Sequence, residues 1–87
     1  DSEDKEIRFT NATVYGELSL VKYFVEQGVT QSEKNDGLIQ ASWNGHIQIV
    51  KYLIEHGAEI TSFLFHDPLK SATEKGHLEV VKYLVEH

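Results

Sequence analysis

The stretch GHIQIVKYLIE at residues 45–55 decides the fold, because the chain contains it three times with small changes. Related stretches are GELSLVKYFVE at residues 16–26 and GHLEVVKYLVE at residues 76–86, so the copies start 29 and 31 residues apart. An alanine stands four residues before each starting glycine, at Ala12, Ala41 and Ala72. Self-similarity at such a period is the signature of a repeat protein. The sequence therefore predicts three stacked repeats.

The spacing of apolar residues within each copy predicts helix. Ile47, Val50 and Leu53 are three residues apart, which places them on one stripe of a helix and not on one face of a strand. Gly28 and Gly57 follow such stripes, where a left-handed residue commonly ends a helix. Asp67-Pro68 is typical of an N-cap followed by proline in the first turn. Each repeat is thus predicted to be two short antiparallel helices, the first of them at residues 8–15, 38–44 and 69–75.

These residues resemble the ankyrin repeat. DPLKSA at 67–72 and GHLEVV at 76–81 are similar to the family pattern Thr-Pro-Leu-His-x-Ala followed by Gly-His-Leu-x-x-Val. The resemblance covers about residues 7–87, although Glu17 replaces the histidine in the first repeat. It implies an all-α ankyrin-repeat solenoid in which His46 and His77 hydrogen-bond to backbone between repeats. The VKYL segments are also similar to those of long ankyrin arrays in giant DNA viruses and amoebae.

The period and the repeat boundaries predict how the chain is organised. A period shorter than the usual ~33 residues indicates that the β-turn fingers between repeats are short or irregular. We expect a polar N-terminal extension at 1–6 and an ankyrin-repeat domain at 7–87, with repeats at about 7–35, 36–66 and 67–87. Lys22, Lys51 and Lys82 each precede a glutamate by four residues, which predicts weak ion pairs on the outer helices.

Composition excludes several classes of protein. The chain has 87 residues, no cysteine and a net charge of −6, so no disulfide scaffold or thiol metal site is expected and anionic nucleic acids and membranes are repelled. No apolar run is long enough to span a membrane and the first residues are polar, which predicts a soluble protein inside the cell, in the cytoplasm. The histidines are scattered, so neither a metal nor another cofactor is expected. They are His46, His56, His66, His77 and His87.

No catalytic signature is present, so the chain is not expected to be an enzyme. The resemblance implies a module that binds another protein through the concave surface of the stack. The alternative is a structural spacer, or a fragment of a longer ankyrin array, without a partner of its own.

The family pattern places the two residues before each repeat's glycine on the concave surface. We call these six residues the concave strip: Val14, Tyr15, Trp43, Asn44, Glu74 and Lys75. Residues that vary between repeats are the candidates for recognition, so partner binding is predicted for Tyr15, Trp43, Asn44, Glu74 and Lys75, possible extensions being Phe63 and Phe65.

Three of these aromatic residues also have a structural interpretation. Trp43 is the single tryptophan, and such a residue on a binding surface often dominates the binding energy. It can instead lean across the first helices to cover Tyr15 or the finger. Phe63 and Phe65 either form an exposed patch or fold inward.

At the C-terminal end of the repeats, an uncapped last helix with an apolar stripe that includes Leu84 and Val85 predicts self-association.

Overall fold

Six α-helices occur in the part of the chain that the computed structural model describes, which is residues 2–60 and 67–87. They are α1 (Ser2–Tyr15), α2 (Leu18–Gln27), α3 (Gln31–Trp43), α4 (Ile47–Glu55), α5 (Pro68–Lys75) and α6 (Leu78–Glu86). These residues include no strand, as expected for an all-α fold. Phe63 and Phe65 lie outside the described residues, so their two interpretations both stay open.

The helices form two layers. The first helices of the repeats, α1, α3 and α5, pack on one another in chain order, and so do the second helices α2, α4 and α6. Each first helix also packs against the second helix of its own repeat. Repeats that each pack on their neighbours along the chain form a solenoid. This arrangement confirms the predicted fold class.

The core lies between the two layers and is built from equivalent residues of the three repeats. The alanine four residues before each glycine is buried, which lets the paired helices approach closely. A large apolar residue from each second helix is also buried against this layer. The alanines are Ala12, Ala41 and Ala72, and the large residues are Phe24, Leu53 and Leu84. Leu84 is 5% exposed, so the prediction that it belongs to an exposed terminal stripe is wrong.

Two of the first helices begin earlier than predicted. α1 begins at Ser2 and not at residue 8, and α3 begins at Gln31 and not at residue 38, whereas α5 begins at Pro68, one residue from the prediction. The added turns are polar, so no apolar stripe marks them. At α3 the Thr30 hydroxyl caps the helix by accepting a hydrogen bond from the backbone N–H of Glu33 at 3.0 Å.

Two lysines tie these added turns to the second helices. Lys5 Nζ donates a hydrogen bond to the carbonyl of Gly28 at the end of α2. Its equivalent one repeat later, Lys34, donates to the carbonyl of His56 at the end of α4, at 3.1 Å. A cation at a helix C-terminus complements both its unpaired carbonyls and its dipole. These contacts join residues distant in sequence, which explains why a local pattern did not predict them.

The connection between the first two repeats is short, as predicted. α2 ends at Gln27 and α3 begins at Gln31, which leaves three residues where a β-turn finger would stand. The extra turns of α3 also hold the chain that follows α4. Gln31 Nε2 donates to the carbonyl of Gly57 at 2.7 Å, and the amide N–H of Glu59 donates to Asn35 Oδ1 at 2.8 Å.

Gly37 provides space where α1 and α3 meet. A Cβ added to this glycine would lie 3.1 Å from Phe9 Cε2 and 3.2 Å from Thr13 Cγ2. The ring of Phe9 is buried in the core. Glycine inside a helix costs about 1 kcal/mol relative to alanine, and here it admits a buried aromatic ring.

Candidate functional site

The C-terminal ends of the first helices bring the concave strip together. Tyr15, Trp43 and Lys75 are the last residues of α1, α3 and α5. A glycine in the left-handed region, with φ between 73° and 78°, comes directly after α1 and α5 and one residue later after α3. Because this turn is the same in all repeats and the first helices pack side by side, the strip residues lie along one edge of the stack.

Histidines fix the backbone of this edge. His46 Nε2 donates a hydrogen bond to the carbonyl of Val14 at 2.8 Å, and His77 Nε2 donates to the carbonyl of Trp43 at 2.9 Å. The role that the resemblance implied for both histidines is therefore confirmed. Each link joins one repeat to the next, so the strip is attached to a rigid main chain.

Each histidine ring also lies against the glycine of the preceding repeat. A Cβ on Gly16 would lie 2.8 Å from the ring of His46, and a Cβ on Gly45 would lie 2.5 Å from Nδ1 of His77. Glycine is therefore required at these positions for two reasons, the positive φ and the space that the imidazole takes.

Trp43 leans toward the third repeat. Its ring centroid lies 4.5 Å from Nζ of Lys75, which is a cation–π contact. The side chain is 40% exposed, so part of the indole faces solvent. Two strip residues from neighbouring repeats thus form a single aromatic and cationic surface. The ring partner that the structure gives Trp43 is this lysine, and the interpretation that Trp43 covers Tyr15 gains no support.

The other residues of the concave strip differ in how far their side chains are exposed to solvent. Tyr15 is 70% exposed and Glu74 is exposed, so both side chains are accessible. Asn44 is half-buried, and its Nδ2 donates to the carbonyl of Gln40 at 2.8 Å. Since that contact completes the end of α3, the amide of Asn44 has a structural role that its sequence position did not indicate.

The outer helices have a feature that the sequence prediction missed. Lys22 Nζ lies 5.7 Å from the ring centroid of Tyr52, and Lys51 Nζ lies 5.7 Å from that of Tyr83. The lysines thus reach the tyrosine of the next repeat, where ion pairs within one helix were predicted. All three copies share a Lys-Tyr pair, which could have indicated lysine–tyrosine contacts. Which ring each lysine reaches, however, depends on how neighbouring helices pack.

Burial raises the pKa of the Tyr52 hydroxyl above 10.0, and the nearby carboxylate of Glu26 raises it further. Both effects disfavour the phenolate. Tyr52 also stacks on His56, with ring centroids 4.0 Å apart. The tyrosine is therefore held between two repeats as a neutral side chain at physiological pH.

Residues 2–60 and 67–87 contain neither a cluster of metal ligands nor a membrane-spanning helix. No group of three or more histidine, cysteine or acidic side chains there is arranged to hold a metal ion. None of the helices has the length and hydropathy needed to cross a membrane.

The paired helices, their stacking and the histidine links define a helical repeat protein of the solenoid class. A family model described as ankyrin repeats (3 copies) matches residues 3–64, which is more than half of the chain. The chain belongs to the ankyrin repeat family. Such repeats are generally protein-interaction modules and are typically non-enzymatic. The match ends before α5, and the third repeat is recognised by its geometry, since His77 repeats the contact of His46.

One curated protein resembles part of the chain. Alpha-latrotoxin-Lh1a from Latrodectus hasselti is 40% identical over 52 residues, which is 56% of this chain and 4% of the toxin. The chain therefore spans a small part of the length of this relative.

Proposed function

We propose that the chain is a non-catalytic binding module and that its protein partner contacts the concave strip. One observation carries the proposal: the indole of Trp43 and the ammonium of Lys75 form a joined, partly exposed surface on a fixed backbone. Tryptophan and tyrosine are enriched among the residues that dominate binding energies. A rigid main chain supports tight binding because less conformational freedom is lost on association.

The charge of the chain favours a particular kind of partner. With a net charge of −6, the molecule attracts basic proteins and repels nucleic acids and anionic membranes. Tyr15 and Trp43 add apolar contact area to the strip. We infer a protein partner with a basic rim and an apolar centre. An intracellular location stays a prediction.

The experiment is a pull-down with mass spectrometry that compares the native chain with a Tyr15→Ala, Trp43→Ala double variant. We expect the variant to lose the partner, with affinity reduced about 30-fold or more once the partner is purified, because truncating a dominant residue costs ~2 kcal/mol or more. Tyr23→Ala is the matched control, since Tyr23 is an exposed tyrosine of α2 outside the strip. Circular dichroism checks that all variants fold.

The outcomes separate the candidate functions. A partner retained by the double variant and lost by Tyr23→Ala would reject the strip. An equal set of proteins for all three chains would favour the alternative, a spacer or a section of a longer array. That alternative has its own support, because Leu78 and Val85 on α6 are 71% and 68% exposed. The same surface is where self-association was predicted.

A further inference from the structure

The first helices α1 and α3 together form a long surface that faces away from the core. α1 has 14 residues and α3 has 13, so both are about 20 Å long, whereas α5 has 8 residues and is about 12 Å long. The two long helices pack on each other. The surface that a partner can contact is therefore longest on the first two repeats.

Equivalent positions of these two helices form a surface that we call the inner face. Asp36, Ile39 and Trp43 are three or four residues apart on α3, so they lie on one side of the helix. The core residues of α3 lie on its other side and are Leu38, Ala41 and Ser42. With the equivalent residues of α1, the inner face consists of Ile7, Thr10, Val14, Asp36, Ile39 and Trp43.

Most of the inner face is apolar and accessible. Ile7 is 59% exposed and Trp43 is 40% exposed. Ile39 is half-buried and lies one turn from Trp43, and Val14, also half-buried, is the equivalent of Trp43 on the neighbouring helix. A contiguous apolar area that stays accessible commonly marks an interaction surface. The inner face thus extends the concave strip from the ends of the helices toward their middle.

The end of the inner face that is distant from Trp43 is acidic. Asp36 is exposed and stands seven residues before Trp43, which is about 10 Å along the helix. Glu33 stands one turn earlier on α3. The lysines of the same turns, Lys5 and Lys34, donate to carbonyls at the ends of α2 and α4. The single lysine of α3 is thus held toward the second helices, while the inner face has a carboxylate at this end.

The opposite end of the inner face already lies next to a cation. Nζ of Lys75 is 4.5 Å from the ring centroid of Trp43. This ammonium repels a further cation at the Trp43 end, whereas the carboxylate of Asp36 attracts one at the other end. The inner face therefore distinguishes the two ends of a segment that carries positive charge at one end.

The position of Asp36 restricts which partners can cover the apolar area. A segment that covers Ile39 and Trp43 also comes close to Asp36, because the three residues share one side of two helical turns. Removing a carboxylate from water is unfavourable unless a cation or a hydrogen-bond donor replaces the water. A lysine or arginine of the partner meets this requirement, and the net charge of −6 attracts it.

We propose that the inner face binds a basic, apolar segment of a partner protein in one direction. The lysine or arginine of the segment lies at Asp36, and its apolar side chains lie on Ile7, Ile39 and Trp43. The inference rests on the proposed function, because Trp43 belongs to both surfaces. It adds the chemistry of the partner segment and its orientation along the first helices.

The test selects short random peptides, displayed on phage, for binding to the native chain. We expect the selected peptides to combine apolar residues with an excess of arginine and lysine over the unselected library. Calorimetry then measures the affinity of a selected peptide for each variant. Asp36→Asn should weaken binding about fivefold, the effect of one exposed ion pair. The matched control is Glu79→Gln, which removes an exposed carboxylate from α6 and should change the affinity less than about twofold.

A charge exchange separates an ion pair from an effect on folding. Asp36→Lys should weaken the binding of the same peptide about tenfold or more, since attraction is replaced by repulsion. A peptide whose basic residues are replaced by glutamate should bind Asp36→Lys more tightly than it binds the native chain. Circular dichroism checks that every variant folds.

The outcomes distinguish this inference from the proposed function. If Trp43→Ala weakens binding but Asp36→Asn has no more effect than Glu79→Gln, the inference is overturned and the proposed function stands. The same holds if the peptides show no excess of basic residues. If the peptides bind Trp43→Ala as tightly as the native chain, the concave strip itself is rejected. A selection that yields no peptide specific for the native chain rejects both.

Discussion

At the scale of single residues, the repeats are linked through main-chain carbonyls at a position where the side chain differs in every repeat. Val14, Trp43 and Glu74 are equivalent, and the carbonyls of the first two accept the histidine hydrogen bonds. Any side chain can therefore occupy this position without disturbing the link. The variation between valine, tryptophan and glutamate is consistent with positions that are free to serve recognition.

Substitution of Trp43 should separate recognition from stability. Trp43→Ala removes a partly exposed ring and its contact with Lys75, so we expect a loss of less than about 1.5 kcal/mol of unfolding free energy. Leu53→Ala empties a fully buried site and should cost about 3 kcal/mol. Urea denaturation followed by circular dichroism gives both values. A larger loss for Trp43→Ala than for Leu53→Ala would show that the indole is chiefly structural.

The ionisation of Tyr52 gives a prediction about pH. Because burial and then Glu26 raise its pKa in the folded chain above 10.0, the folded state holds this proton more tightly than the unfolded state does. This pKa difference adds to the free energy of unfolding. The added stability is fully present below about pH 10, the pKa of tyrosine in the unfolded chain, and is lost as the pH rises through the pKa of Tyr52 in the folded chain. In a titration of tyrosinate absorbance, the component that Tyr52→Phe removes should titrate above the ordinary tyrosine pKa of about 10. In Glu26→Gln that component should move to lower pH, and an unchanged curve would contradict the assigned causes.

At the scale of helices, sequence predicted the elements with strong local signals and misplaced those without them. Asp67-Pro68 marks the start of α5, and the Asp67 side chain accepts a hydrogen bond from the N–H of Leu69 at 2.9 Å. The start of α3 has a cap of the same kind at Thr30 but no apolar stripe behind it. Its first turns are held by Gln31 and Lys34 through contacts with the end of α4.

The sequence predicted only part of the candidate site, because the repeat register gives the positions of the residues but not the contacts of their side chains. The repeat register placed Tyr15, Trp43 and Lys75 within two residues of the glycine that follows each first helix, and the structure brings Trp43 and Lys75 into contact. Register alone did not show that the ring would lean toward Lys75 or that Asn44 would cap its own helix. Those outcomes depend on side-chain directions that packing sets.

The cap of α3 can be tested directly. Thr30→Ala removes the hydroxyl that accepts the N–H of Glu33, so the free energy of unfolding should fall by about 1 kcal/mol. Thr30→Ser keeps the acceptor and should change the stability by a few tenths of that amount. Thermal and urea unfolding would measure both variants. Equal effects of alanine and serine would mean that the hydroxyl does not cap the helix.

At the scale of the whole molecule, each repeat is stabilised by its neighbours. The second repeat is covered on both sides, since α3 packs on α1 and α5 and α4 packs on α2 and α6. The outer repeats each have one covered side within the chain. In a stack of this kind the stability is close to a sum of repeat and interface contributions.

Hydrogen exchange should reveal this arrangement. We expect the amides of α4 to exchange most slowly and those of α6 to exchange faster, because opening α6 breaks one repeat interface whereas opening α4 breaks two. Mass spectrometry or NMR in the native chain would give the rates for each helix. Equal protection of α4 and α6 would indicate that the three repeats open as one cooperative unit.

The fit between Phe9 and Gly37 has a consequence for how this sequence can change over generations. A methyl group at position 37 would meet the ring of Phe9 at 3.1 Å, and a smaller residue at position 9 would leave a void beside the glycine. A methyl group at position 37 requires the ring of Phe9 to move by a few tenths of an ångström, and we expect a smaller residue at position 9 to relieve that contact. Across descendants of this chain, positions 9 and 37 should therefore be inherited as a linked pair, with mutation at one favouring a compensating mutation at the other.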